Sequence, residues 1–94
     1  HEGYTGLILA ARYGYSDVVS WILENKADVN LTQNFGKTAL MYAADEDCLD
    51  IVEMLLDNGA DIDAKSKSGA TALSLADEMG NEEIVALLRK KGAK

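Results

Sequence analysis

The sequence predicts an all-α solenoid of three stacked helix-turn-helix units joined by hairpin-like extended turns. Two observations carry this. First, whole words return at a step of 33 residues: Gly3-Tyr4-Thr5-Gly6-Leu7-Ile8-Leu9-Ala10 recurs as Gly36-Lys37-Thr38-Ala39-Leu40-Met41-Tyr42-Ala43 and as Gly69-Ala70-Thr71-Ala72-Leu73-Ser74-Leu75-Ala76. Val18-Val19, Ile51-Val52 and Ile84-Val85 keep the same step, as do Lys26-Ala27-Asp28, Gly59-Ala60-Asp61 and Gly92-Ala93-Lys94. Second, each period holds two short apolar patterns at helical spacing, in the middle unit Ala39, Leu40, Tyr42, Ala43, Ala44 and then Leu49, Ile51, Val52, Met54, Leu55, Leu56. A repeat of this length marks stacked supersecondary units, and such stacks usually serve as binding surfaces.

The elements follow in order along each unit. Thr5, Thr38 and Thr71 precede the first helix, where a threonine hydroxyl accepts an otherwise orphaned backbone N–H. Gly14 and Gly80 follow that helix and end it in the left-handed conformation at little cost. Asp47 holds this place in the middle unit, at some cost. Asp17, Asp50 and Glu83 open the second helix, where the dipole favours a carboxylate. That helix stops near Asn25-Lys26, Asn58-Gly59 and Lys91-Gly92. Asp28 to Gly36 and Asp61 to Gly69 carry turn chemistry, with Asn34, Ser68 and the glycines suited to a tight turn. Small Ala10, Ala43 and Ala76 let first helices approach one another. Leu7, Leu40 and Leu73, with Ile22, Leu55 and Leu88, are expected to form a continuous core. Trp21, in register with Met54 and Leu87, is expected to join it.

Ninety-four residues make one small domain, with units at about 1–33, 34–66 and 67–94. A globule of this length is marginal, but a solenoid needs only neighbour contacts. The 48% apolar content fits a folded chain. No apolar run has the length of a membrane span and no signal-peptide pattern opens the chain. The net charge of −7 argues against a nucleic-acid phosphate binder. Charge is uneven: the three units carry net −2, −6 and +1. A lone cysteine, Cys48, gives no internal disulfide and no sign of an oxidising compartment. An intracellular setting, cytoplasm or nucleus, is favoured.

These words resemble the ankyrin repeat: G-x-T-x-L-x-x-A, a valine-rich helix, then G-A-D-[VI]-[ND], over essentially the whole chain. A tetratricopeptide array has a slightly longer period and lacks the long Gly-Ala-Asp turn. The departures carry information. Where the family has T-P-L-H, this chain has Thr5-Gly6-Leu7-Ile8, Thr38-Ala39-Leu40-Met41 and Thr71-Ala72-Leu73-Ser74. Without proline, the first turn loses a pre-set dihedral. Without histidine, the hydrogen bonds that tie neighbouring units in the family pass to packing by Ile8 and Met41, and only weakly to Ser74. Gln33 and Ser66 stand where an aspartate usually braces the turn. This irregularity suggests a natural or reworked natural sequence rather than a consensus design.

The ends also differ. Leu56 and Asp57 of the middle unit become Arg89 and Lys90 in the last, which reads as a capping repeat near the end of the stack. The first unit keeps Ile8, Val18 and Trp21. It reads as a cap with a truncated loop or, preferably, as an internal repeat whose upstream neighbour was removed. The start at His1 rather than Met reads as an excised or processed piece.

Little points to catalysis. His1 is the only histidine and sits at the terminus, so no nucleophile has a plausible base. Cys48 is expected to be a half-buried packing residue, since a reactive thiol needs a cationic neighbour and Asp47 and Asp50 flank it. Asp45-Glu46-Asp47 with Asp50 lacks the alternating-ligand, glycine and distal-glutamate pattern of a Ca²⁺ loop and reads as a solvated acidic face. Neither glycine-rich phosphate loop occurs. No enzyme activity, metal or cofactor is expected.

The resemblance implies protein recognition in the concave groove of turn tips and first helices. On this chain those positions are Tyr4, Asn34, Phe35, Lys37, Lys67, Ser68 and Ala70 at the turns, and Arg12, Tyr13, Asp45, Glu46, Glu78 and Met79 on the helices. They vary between units while the core words repeat. Phe35 stands out as an aromatic at a turn tip, either a partner anchor or a ring folded back on a neighbouring turn. Tyr13 has the same two readings, and Met79 offers an adaptable contact or local packing. The expected partner of this monomer is a protein with a basic or mixed surface, not a nucleic acid or a membrane. The alternative is an engineered or excised fragment that serves as a folding scaffold without a ligand of its own.

Overall fold

Threonine starts the first helix of the second and third units. In the computed structural model, which describes residues 6–93, Thr38 Oγ1 accepts the Met41 N–H at 3.3 Å and Thr71 Oγ1 accepts the Ser74 N–H at 3.1 Å. Ser74 completes a reciprocal cap, its Oγ accepting the Thr71 N–H at 2.8 Å. That hydroxyl is therefore spent on its own helix and ties no neighbouring unit. Thr5, the expected cap of the first unit, lies outside the described residues.

Among the described residues six helices result: α1 (Gly6–Tyr13), α2 (Ser16–Glu24), α3 (Ala39–Asp45), α4 (Leu49–Asp57), α5 (Ala72–Glu78) and α6 (Glu82–Lys90). Each odd helix pairs with the even helix that follows. α1, α3 and α5 pack side by side in one layer, and α2, α4 and α6 in the other. The positions between paired helices are left-handed as expected, with φ of +76° at Gly14, +61° at Asp47 and +73° at Gly80. Asn25 and Asn58 close α2 and α4, their amides donating to Trp21 O at 2.7 Å and Met54 O at 2.8 Å. Left-handed Lys26, Gly59 and Gly92 follow the three second helices.

Small side chains set the spacing of the first layer. Ala10, Ala43 and Ala76 are buried, and Ile8 and Met41 fill the places left by histidine. Leu7, Leu40, Leu55 and Leu88 are buried as expected, whereas Leu73 and Ile22 are half-buried at the core edge. Trp21 departs from expectation. It is 64% exposed, while its counterparts Met54 and Leu87 pack against the core. The repeat assigns Trp21 an interior position, but burial there requires a preceding unit.

The turns between units are pinned by side chains. Gln33 is buried, and its Oε1 accepts the N–H groups of Phe35 at 2.7 Å and Lys37 at 3.0 Å, so it supplies the brace. Ser66 Oγ gives a lighter version, accepting the Ala70 N–H at 3.2 Å. An isolated antiparallel bridge between Thr32 and Thr38 makes the first turn hairpin-like. Consecutive turns then stack, with the Lys67 N–H donating to Phe35 O at 2.9 Å. Gly36 stands at this junction with φ +78°, and a Cβ there would lie 3.1 Å from Lys67 N. One loop further back, Asn30 Oδ1 accepts the Asp61 N–H at 2.7 Å and its amide reaches Gly59 O.

Candidate functional site

The stacked turns and the exposed side of the first helices enclose a pocket of about 720 Å³. Its lining is Arg12 from α1, Phe35 and Lys37 from the first turn, Tyr42, Asp45 and Glu46 on and just after α3, and Ser66, Lys67 and Ser68 from the second turn. Phe35 is 68% exposed. The Gln33 brace and the Lys67 N–H hold its backbone on both sides, so a fixed main chain carries an open ring. Ser66 and Ser68 face each other, Oγ to Oγ, at 3.0 Å.

Tyr42 organises the charges. It is buried, and two cations approach its ring: Lys37 Nζ at 5.1 Å from the centroid and the Arg12 guanidinium at 5.8 Å. The face of an aromatic ring attracts cations at such distances. Arg12 also lies 5.4 Å from the Tyr13 ring, and Tyr13 meets Tyr15 at 6.3 Å in a tilted arrangement. Arg12 stands in the last turn of α1, where the dipole favours a positive charge. The pocket thus carries three bases, Arg12, Lys37 and Lys67, beside two acids, Asp45 and Glu46.

Of the positions expected from sequence, Arg12, Phe35, Lys37, Asp45, Glu46, Lys67 and Ser68 come together here. Asn34 is exposed at the turn tip, Glu78 ends α5, and exposed Met79 caps it, all outside the pocket lining. Ala70 is half-buried. Tyr13 also lies outside the lining, engaged with Arg12 and Tyr15. Tyr4 lies outside the described residues. Sequence reasoning missed Tyr42 and Ser66. Tyr42 is buried in the core as its apolar pattern predicts, and it is also the one aromatic among the equivalents Leu9, Tyr42 and Leu75, a signal the register contained.

Cys48 stands away from this pocket, at the start of α4 beneath the α1–α2 turn. Burial pushes its thiol above the ordinary value, and the nearby carboxylates of Asp50, Glu46 and Asp47 push it further. Its Sγ donates weakly to Glu46 O at 3.7 Å. Among the described residues no three His, Cys, Asp or Glu side chains converge as metal ligands, and no helix is long and apolar enough to cross a membrane.

Two layers of paired helices with stacked turns define a helical repeat protein. The family model for ankyrin repeats matches residues 7–94 in three copies, and the chain belongs to that family. No curated protein matches it.

Proposed function

We propose that this chain is a non-catalytic protein-interaction module that takes a protein segment into the groove between its turns and first helices. Ankyrin repeats are generally protein-protein interaction modules, which supports the class of activity. The observation that carries the site is the exposed Phe35 ring, held on a braced turn at the edge of a pocket lined by charges of both signs. A rigid aromatic in such a setting anchors binding at low conformational cost. The three bases in the pocket lining, Arg12, Lys37 and Lys67, favour a partner segment of mixed charge over a purely basic one. Its basic groups meet Asp45 and Glu46, and its acidic groups meet Lys37 and Lys67.

The test is an affinity capture with mass spectrometry, using the wild-type chain and Phe35→Ala side by side, followed by titration of the recovered partner. Truncating an anchor of this kind costs about 2 kcal/mol, a loss of about thirtyfold in affinity. Reversing Asp45 and Glu46 together slows association and reduces its salt dependence. A partner that binds both variants as it binds wild type removes the site from this groove. Failure to recover any partner favours a folding scaffold without a ligand.

A further inference from the structure

We propose that the open side of the first helix pair, formed by Leu9, Tyr15, Val18 and Trp21, is a docking face for one further ankyrin-type helix pair. The repeat itself supplies the evidence, because the same four positions occur twice more with a neighbour in place. Leu9 is 40% exposed, and its equivalent Tyr42 is 8% exposed. Val18 is 45% exposed, while Ile51 and Ile84 are completely buried. Trp21 and Tyr15 are exposed, whereas Met54, Leu87, Cys48 and Asn81 are all partly covered. The internal interfaces between α1/α2 and α3/α4, and between α3/α4 and α5/α6, show what covers these positions: the preceding helix pair.

The internal interfaces also show how the occupant must sit. Asn81 reaches back to the end of the preceding first helix, its amide donating to Ala44 O at 2.7 Å and Asp45 O at 3.3 Å. Cys48 Sγ lies 3.4 Å from where a Cβ on Gly14 would stand. Asp50 accepts a hydrogen bond from Ser16 Oγ of the preceding pair. At the open face Tyr15 holds the place of Cys48 and Asn81, and its hydroxyl is a donor for the last carbonyls of the occupant's first helix. Asp17 holds the place of Asp50, ready to accept from the start of the occupant's second helix.

The chemistry of the occupant follows. Its second helix must be apolar where α2 carries Ile22 and Leu23 and where α4 carries Leu55 and Leu56. The downstream end of this chain does not qualify, since α6 replaces half-buried Leu56 with exposed Arg89. Docking that end here would strip water from the Arg89 cation without supplying a partner. The occupant is therefore an ankyrin unit of the internal type and not a second copy added head to tail. Large exposed apolar side chains gathered on one face are the usual mark of such an interface.

The test joins a copy of residues 34–66 directly ahead of residue 1, which preserves the 33-residue step. The added unit contains no tryptophan, so Trp21 remains the only one. Docking is expected to shift Trp21 emission to the blue, to reduce its quenching by acrylamide severalfold, and to raise the urea midpoint of a single transition. An added copy with lysine in place of Leu55 and Leu56 is expected to give none of these changes. Val18→Lys is expected to abolish them in the extended chain and to leave the midpoint of the original chain nearly unchanged. Trp21 left as exposed as in the original chain overturns the proposal, whether or not the added unit is helical. So does a dimer of the original chain that shields Trp21, because a second copy is then the occupant.

Discussion

At the upstream end of the stack, α1 and α2 show solvent Leu9, Val18 and Trp21. At the downstream end, α6 shows Glu82, Glu83, Ala86, Arg89 and Lys90. Both ends are built on the same repeated word. Against the middle unit, α6 has traded half-buried Leu49 and Leu56 for Glu82 and Arg89, and its acids in the first turn and bases in the last each complement the helix dipole. The first unit has made no such trade, and its second helix has one acid in the first turn and no base in the last. A repeat position therefore fixes where a side chain points, and the neighbouring unit decides whether water reaches it.

This contrast can be broken by equivalent substitutions, and the largest effect falls at position 51. Ile51→Ala removes a completely buried side chain between α2 and α4 and is expected to cost about 3 kcal/mol by urea denaturation. Val18→Ala, the same position one unit upstream, is expected to cost about 0.5 kcal/mol or less. Equal losses would show that both positions are interior.

The turns give the next largest effect. Gly36→Ala places a Cβ 3.1 Å from the backbone of the following turn at a left-handed dihedral, and should destabilise by about 2 kcal/mol or more. Gly69 is equally left-handed, with φ +88°, but nothing lies within 4 Å of a Cβ there. Gly69→Ala should therefore cost about 1 kcal/mol, the dihedral penalty alone. The difference between the two measures the stacking of one turn on the next.

The smallest effect belongs to Cys48, which is covered by the first unit where its equivalent Tyr15 is open. Its thiol is held above the ordinary value in the folded state, so folding favours the neutral form. The sign follows: the thiol contributes stability fully below the unfolded value of about 8.5, and loses it as pH rises through the higher folded value. Cys48→Ala is expected to flatten the decline of the urea midpoint over that alkaline range. The folded thiol is also expected to react with a disulfide reagent more slowly than the thiol in urea at pH 8.

Most of the scaffold was legible in the sequence because its causes are local. Thr38 and Thr71 cap helices through groups three residues away, and Gly14, Asp47 and Gly80 occupy a dihedral that the register alone locates. Gln33 was legible as a substituted brace, though not that its longer side chain would reach two backbone N–H groups. What escaped depends on neighbours. Trp21 matches interior residues in register and yet is exposed, whereas its counterparts Met54 and Leu87 are covered by the preceding helix pair. Tyr42 fitted an apolar pattern, and only the folded chain brings Arg12 from another unit over the ring that Lys37 also faces. Seven of the groove positions gather at one pocket, while Tyr13 instead packs beside Tyr15 and Arg12.

The most direct measurement is the solvent accessibility of tryptophan at the two equivalent positions. Acrylamide quenching is compared for the wild-type chain and for Trp21→Leu/Met54→Trp, each folded in buffer and unfolded in urea at dilute concentration. Neighbour-controlled burial predicts that folded Trp21 is quenched nearly as readily as in urea, and that tryptophan at position 54 is shielded until the chain unfolds. Equal shielding at both positions in the monomer would contradict it.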